Sequence, residues 1–314
     1  VFHFQCPGRL CPARYPVPRM NASLFVQSIF AGLSNGFVYG LIGLGLAVIF
    51  RGTRVVNAMQ GEFCVVAGIA AVLLLDHWHI PLVVAMLCAT VLGGALGLAL
   101  ELVPVRALQR RGGNEDSFLL LTLGVAFAIS ALILYFVGRD SRALPGLGGE
   151  ATLFVADAAI RVHAVWLIVT GIVVMIALKW FYSKTHFGLS MMAASIDADG
   201  AATSGIDVQF MRTATFCLGG LIGGLAGVLV TPLTTVHYAM GLLLTLKGFA
   251  AAIVGGLKNP FGAVLGGVTL GLLESIAIAF VSSGYKDVIA MSILIVIMIL
   301  LPNGMLGRRM RKGG

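Results

Sequence analysis

Long apolar runs without a charged residue follow one another along the chain, and short segments carrying the charges separate them. Such runs cover residues 24–50, 80–100, 117–138, 213–246 and 288–307. A helix of about 20 apolar residues crosses the hydrocarbon core of a bilayer. Each run therefore predicts a membrane helix.

Three further stretches fit the same pattern with one interruption each. Residues 58–75 contain Glu62, residues 162–178 contain His163, and residues 242–281 are long enough for two crossings broken near Lys258-Asn259-Pro260. None alternates polar and apolar residues as the strands of a membrane barrel do. The pattern predicts an all-α polytopic membrane helix bundle of about eight to nine spans, with a short or broken late helix.

Composition supports a membrane protein and excludes several functions. The chain is 59% hydrophobic and 11% charged, whereas about 25% of residues are charged in a typical soluble domain. The net charge of +8 lies in loops between spans, where it sets orientation, so we expect no nucleic acid partner. Five cysteines show no metal spacing. No P-loop motif is present either, so we expect no metal, no cofactor and no ATP binding by this chain.

The ends of the chain differ from the rest. Residues 1–19 hold four prolines, three arginines and two cysteines and lack the apolar centre of a signal peptide. We expect Met20 to be the natural start, residues 20–307 to form the membrane domain, and residues 308–314 to form a basic cytoplasmic tail.

The lysines and arginines predict the orientation. Alternating loops place most of those beyond residue 19 on one side, which the positive-inside rule makes cytoplasmic. That side includes the C-terminus and residues 183–212. The other side receives Arg139, Arg142, Arg161, Lys247 and Lys286.

Small residues at helical spacing predict close packing between helices, because lipid offers no hydrophobic drive for helix association. The stripes are Gly32, Gly36 and Gly40; Gly219, Gly223 and Gly227; and the pairs Gly262 with Gly266 and Gly267 with Gly271. Breaks at Pro232, Gly255-Gly256 and Asn259-Pro260 indicate discontinuous late helices, a feature that often lines substrate paths.

Glu62 is the strongest single candidate for a functional residue. It lies inside an apolar run, one turn from the predicted cytoplasmic end, after Asn57 and Gln60. An acid in a membrane helix points to function, here a gate or coupling role for Glu62. The alternative is structural: a first-turn Glu is stabilised by the helix dipole and caps free N–H groups.

A G-x-S-x-G pattern at Gly32–Gly36 raises the alternative of an intramembrane serine hydrolase. That motif requires a strand, a sharp turn and a helix. Because it lies inside a helical apolar run, we favour a non-enzymatic role.

Residues 187–206 are too polar to cross the membrane. They predict a short amphipathic helix that ends at Gly205. Their apolar side chains Met191, Met192, Ile196 and Ile206 suit docking of a cytoplasmic partner, and the alternative is a connecting helix on the membrane surface.

Several motifs resemble the permease subunits of branched-chain amino acid ABC importers, specifically the H-type subunit. Residues 55–63 are similar to the family's Asn-x-x-(His/Gln)-Gly-Glu-Phe signature. Gly188 with Ala201 to Ile206 resembles its coupling segment, and residues 247–257 with Gly262 and Gly266-Gly267 resemble its late Gly-rich block. Residues 285–287 and 301–304 also fit, and the resemblance runs from about residue 24 to 307. At Met192 the family usually carries Arg, so contact with an ATPase is less electrostatic here, or uses other residues.

The resemblance implies a division of labour. It implies two ATP-binding subunits, a second homologous permease of the M-type, and a periplasmic or extracellular solute-binding protein, assembled in the bacterial inner membrane. It adds Lys247 to Asn57, Gln60 and Glu62 as candidates for the translocation path. It assigns ATPase coupling to six residues of the cytoplasmic segment: Gly188, Met191, Met192, Ala201, Gly205 and Ile206.

Two other functions remain open at this point. A stand-alone secondary transporter needs relay charges in several spans, and this chain has few. A permease of the same family for urea or short amides is not distinguished by the sequence from one for branched-chain amino acids.

Overall fold

The computed structural model describes residues 22–149, 151–155, 158–257 and 259–280, together with Val288, Ser292, Ile295 and Val296. Within these residues the chain is predominantly helical, as predicted. The helices are α1 (Ala22–Thr53), α2 (Gln60–Trp78), α3 (Leu82–Leu100), α4 (Arg106–Arg110), α5 (Glu115–Phe136), α6 (Val162–Lys184), α7 (His186–Ile196), α8 (Ala198–Thr203), α9 (Val208–Val230), α10 (Met240–Gly255) and α11 (Pro260–Phe280). A π-helical turn (Glu101–Val105) joins α3 to α4, and a hairpin of β1 (Thr152–Val155) and β2 (Ala158–Arg161) precedes α6.

Seven helices in the described part of the chain are long and apolar enough to cross a membrane: α1, α2, the continuous α3–α4 unit, α5, α6, α9 and α11. The 16-residue α10 is shorter and corresponds to the predicted short late helix. The predicted count of eight to nine spans is not confirmed, and the apolar run 288–307 lies mostly outside the described residues. The chain is a multi-pass membrane protein.

The centre of the bundle is formed by α1 and α9, while α5 and α6 expose most of their apolar side chains. Glycines allow the close contacts there, as the stripes predicted. A Cβ on Gly36 would lie 2.7 Å from Val268 Cα of α11, and one on Gly93 of α3 would lie 2.7 Å from the Gly220 oxygen of α9. These contacts leave no room for side chains, so backbone meets backbone.

The two ends of the bundle are built from different segments of the chain. At one end, which we call the basic face, Arg51 lies in the last turn of α1 and Arg54 follows that helix, and the α7–α8 segment lies beside them. At the other end, which we call the hairpin face, Arg142 pairs with Val236 as an isolated β-bridge and the Arg161 side chain lies against the Pro232 oxygen. For Arg51, Arg54, Arg142 and Arg161 this grouping agrees with the loop assignment made from the charges.

Candidate functional site

The first turn of α2 forms a buried polar cluster with α5, α9 and α10. Asn57, Gln60 and Glu62 are all at most 1% exposed. The Asn57 Oδ1 accepts from the Met59 N–H at 3.0 Å, and the Gln60 Nε2 donates to the Gly219 oxygen of α9 at 3.0 Å. The structure therefore brings together the three path candidates predicted around Glu62. We call them, with Ser130 and Thr245, the α2 cluster.

Glu62 does not cap its own helix. Its Oε1 accepts from the Ser130 hydroxyl of α5 at 3.0 Å, and its Oε2 is buried without a hydrogen-bond partner. The Gly61 N–H is instead satisfied by the Thr245 hydroxyl of α10, at 2.8 Å. The capping part of the structural alternative is thus wrong, while the first-turn position on which the dipole argument depends is confirmed.

A second helix start also faces the Glu62 carboxylate. A Cβ on Gly241, in the first turn of α10, would overlap the carboxylate. The N-terminal ends of α2 and α10 therefore meet at one carboxyl group, and both helix dipoles point their positive ends at it. Only glycine at position 241 permits this approach.

The depth of the cluster corrects a prediction. Glu62 does not lie one turn from the predicted cytoplasmic end, because residues 54–59 leave the helical path and run into the bundle before α2 begins. Gln60 touches Gly219, about 16 Å along α9, and Glu62 touches Ser130, about 22 Å along α5. A helix that starts in the membrane interior exposes free N–H groups there, and these are satisfied by the side chains around it.

Lys247 was expected in a loop on the far side from the C-terminus, and the structure contradicts this. Lys247 lies inside α10 and is 6% exposed. Its Nζ is 3.1 Å from Glu274 Oε1 of α11 and 3.2 Å from the Tyr39 hydroxyl of α1. Pairing explains the burial, since a lone ammonium would be very costly there. Glu274 is an interior residue of α11 and completes the pair.

The structure does not join Lys247 to the α2 cluster. Gly241 and Thr245, four residues apart on α10, face α2, while Lys247 faces α1 and α11. Composition and motifs missed Tyr39, Ser130 and Thr245. The available signal was a polar side chain within an apolar run, and helical membrane proteins contain many such residues.

Two cavities of about 210 Å³ each reach inward from the hairpin face. The first is lined by Gln27, Ser34 and Arg161, among others, and the second ends at Lys247. Asn35 and Thr234 line both, so the cavities adjoin. Of the predicted path residues, Lys247 is the one that lines this route.

The α7–α8 segment differs in detail from the predicted single helix. Asp197 interrupts it and its Oδ1 accepts from the Gly200 N–H at 3.0 Å, which starts α8. Gly205 adopts φ +83 and ends the segment as predicted. The break follows from the preference of Asp for helix N-caps.

The six predicted coupling residues differ in how far they are buried. Gly188, Met191 and Ala201 face their own chain and are buried, so these three do not offer a docking surface. Met192 and Ile206 are half-buried, with an Arg51 Nη2 atom 3.7 Å from the Met192 sulfur, and Gly205 is exposed. The large apolar side chains that are exposed are Ile196, at 74%, together with Leu189 and Phe187.

A second buried ion pair lies near the basic face. Glu101 is completely buried in the π-helical turn, and its Oε2 is 3.6 Å from the Arg212 Nε of α9. Arg106 donates to the Thr213 hydroxyl at 3.0 Å beside it.

The G-x-S-x-G alternative fails on geometry. Gly32–Gly36 lies inside α1, the Ser34 hydroxyl donates to the Phe30 oxygen at 2.8 Å, and both glycines pack against α11. The strand and sharp turn that a nucleophile elbow requires are replaced by a continuous helix. Ser34 is therefore an ordinary back-bonded helix serine.

Long apolar helices with breaks in their interior, and ionisable groups paired between them, define a polytopic membrane protein of the transporter class. Residues 28–300 match the family described as "Branched-chain amino acid transport system / permease component". The chain belongs to this family of transport permeases, which confirms the resemblance, and it is not an enzyme.

Three relatives illustrate the range of the family. The high-affinity branched-chain amino acid transport system permease protein LivH of Escherichia coli is 26% identical over 90% of this chain and 96% of its own. A probable branched-chain amino acid transport permease protein LivH of Methanocaldococcus jannaschii is 30% identical over 85% and 88%. The autoinducer 2 import system permease protein LsrC of Escherichia coli is 25% identical over 88% and 79%. No solved structure matches the chain.

Proposed function

We propose that this chain is the membrane-spanning permease subunit of an ATP-driven importer that moves branched-chain amino acids delivered by an external binding protein. The observation that carries the proposal is the family match along residues 28–300, together with relatives whose names specify branched-chain amino acids. Two ATP-binding subunits and a second, M-type permease complete the assembly in the bacterial inner membrane. The C-terminus and the basic face are cytoplasmic.

The α7–α8 segment is the proposed contact with an ATP-binding subunit. Ile196, Leu189 and Phe187 are apolar and exposed on the basic face, beyond the spans. Gly188 and Ala201 lie against the rest of the chain, so movement of the segment would pass into the bundle through them. At Gly188 a Cβ would meet the Phe181 oxygen, which explains why a glycine serves there.

The substrate path is proposed to pass the Lys247–Glu274 pair, with the α2 cluster of Asn57, Gln60 and Glu62 acting as a gate. Asn57, Gln60 and Glu62 are at most 1% exposed, so they are shut off from solvent in this arrangement of the helices. Helices that start at this depth can shift as units between two arrangements, and ATP binding in the partners would select one of them.

Two alternatives are less well supported. A stand-alone transporter needs a relay of ionisable groups along the path, but the buried acids in the described residues, Glu62, Glu101 and Glu274, sit in separate clusters. The name of LsrC specifies autoinducer 2, so cargo varies among relatives of this chain. A urea or short-amide substrate is therefore tested alongside amino acids.

Ile196→Asp tests the coupling assignment. We expect uptake of radiolabelled leucine by vesicles carrying the complete importer to fall at least about tenfold, because a carboxylate in an apolar contact must be desolvated. Stability should change by no more than about 0.5 kcal/mol, since the side chain is exposed. Ile196→Leu is the matched control and should retain uptake.

The outcomes separate the possible readings. Unchanged uptake and ATP hydrolysis in Ile196→Asp vesicles would contradict the docking role. Uptake of leucine by the purified chain alone, without nucleotide, would contradict the importer assignment itself. Uptake of urea in place of leucine by the complete assembly would replace the substrate but keep the class.

A further inference from the structure

The route from the hairpin face ends blindly at Lys247. Asn35 and Thr234 join its two cavities, and Lys247 and Tyr39 line the deeper one. Beyond them α1 and α10 are in contact: a Cβ on Gly43 would lie 2.7 Å from the Gly248 oxygen, and Ile42 and Leu46 are fully buried. A solute entering from the hairpin face is therefore stopped beside the buried ion pair.

The lining of the deeper cavity, which we call the Lys247 cavity, combines polar and apolar groups. Its polar lining includes the Lys247 ammonium, the Tyr39 hydroxyl and the Asn35 amide. Its apolar lining, which we call the apolar wall, includes Val38, Val230 and Leu244. Small-molecule sites have this form, with an apolar lining and a few polar groups that fix orientation.

We propose that the Lys247 cavity binds one substrate amino acid, with the carboxylate at Lys247 and the aliphatic side chain against the apolar wall. The inference rests on the proposed function and adds the place and polarity of recognition. The volume of about 210 Å³ corresponds to about seven water molecules, which is comparable with one valine or leucine.

The pairing of Lys247 favours a substrate that carries both charges. The ion pair with Glu274 is locally neutral, so a zwitterion enters without adding net charge to the bilayer interior. Its carboxylate meets Lys247, which lines the cavity, while Glu274 behind Lys247 keeps the site as a whole neutral. Urea would leave the apolar wall without a partner.

Binding of a substrate amino acid would also change the contacts of α10 with α11 and α1. Lys247 links α10 to α11 through Glu274 and to α1 through Tyr39. A substrate carboxylate shares the ammonium with these partners and weakens both links. Occupancy of the cavity thereby favours a rearrangement of α10.

Protection of an engineered cysteine tests the site directly. Thr234→Cys, in a complete importer whose native cysteines are replaced by serine or alanine, is labelled with a small charged thiol reagent. We expect leucine to slow labelling at least about tenfold, and leucinamide, isoamylamine and urea to leave it unchanged. Thr203→Cys on α8 is the control and should not respond to leucine.

A paired substitution tests the role of Lys247. In the Thr234→Cys background, K247M with E274Q removes both charges without leaving one unpaired, so the bundle should still assemble. We expect the leucine concentration needed for protection to rise about tenfold or more, because a hydrogen bond to a charged group is lost.

The results distinguish failure of the cavity assignment from failure of the proposed function. Leucine uptake without leucine protection, or protection unaffected by K247M/E274Q, would overturn the cavity assignment and leave the proposed function standing. Equal protection by urea or isoamylamine would overturn recognition of the carboxylate. Absence of ATP-driven leucine uptake by the parent importer would instead overturn the proposed function.

Discussion

Two carboxylates lie deep in this bundle and are held in different ways. Glu62 and Glu274 are 1% and 0% exposed, and each has one oxygen without a hydrogen-bond partner. Glu274 faces the Lys247 ammonium at 3.1 Å. Within the described part of the chain no Lys or Arg pairs with Glu62, which lies instead at the positive ends of α2 and α10.

The comparison indicates different uses for the two acids. A cation pair is strong and local, and removing one partner leaves a buried charge. Helix ends contribute a weaker field that depends on the position of whole helices. Glu62 is therefore sensitive to movement of α10 relative to α2, which suits a gate, whereas Glu274 joins α10 to α11.

Breaking the ion pair should have the largest effect on stability. Glu274→Ala leaves Lys247 buried without its counter-charge, and we expect a loss of about 3–5 kcal/mol. The measurement is the unfolding midpoint of the purified chain in detergent, followed by tryptophan fluorescence. The K247M/E274Q variant is the matched control and should recover most of the loss. Equal destabilisation of both variants would show that packing, not charge, dominates at this contact.

The second largest effect on stability is expected from added bulk at the start of α10, beside Glu62. Gly241→Ala places a methyl group where the carboxylate now lies, so α2 and α10 must separate. We expect a loss of about 1–3 kcal/mol, the usual cost of overpacking. Gly124→Ala on α5 is the control, because a Cβ there meets nothing within 4 Å. A neutral result at position 241 would mean that the carboxylate can move aside freely, and the converging helix ends would lose their importance.

The apolar pattern predicted the fold because a bilayer allows few alternatives to spanning helices. Runs of suitable length located α1, α3, α5 and α11, and the Gly32, Gly36 and Gly40 stripe correctly indicated a close contact. The short α10 was also anticipated, from the breaks at Pro232 and Asn259-Pro260.

The depth and partners of the polar residues were not predictable in the same way. Lys247 is a charged residue of the kind that usually lies in a loop of a membrane protein. Its burial depends on Glu274, which is 27 residues away along the chain. The inward course of residues 54–59 depends on two hydrogen bonds from other helices. The Thr245 hydroxyl of α10 accepts from the Gly61 N–H, and the Gly219 oxygen of α9 accepts from the Gln60 side-chain amide. Such contacts are tertiary, and hydropathy does not record them.

Glu62→Gln should have the smallest effect on stability and separates the two roles proposed for this residue. The amide keeps an acceptor for Ser130 and removes a charge whose desolvation cost and favourable helix-end field oppose each other, so we expect a change within about 1 kcal/mol. If Glu62 is a gate, leucine uptake by the complete importer should nevertheless fall markedly while the unfolding midpoint holds. If its role is structural, uptake should follow stability and stay near that of the parent. A loss of stability as large as that of Glu274→Ala would instead mean that Glu62 has a cationic partner, and the contrast between the two carboxylates would disappear.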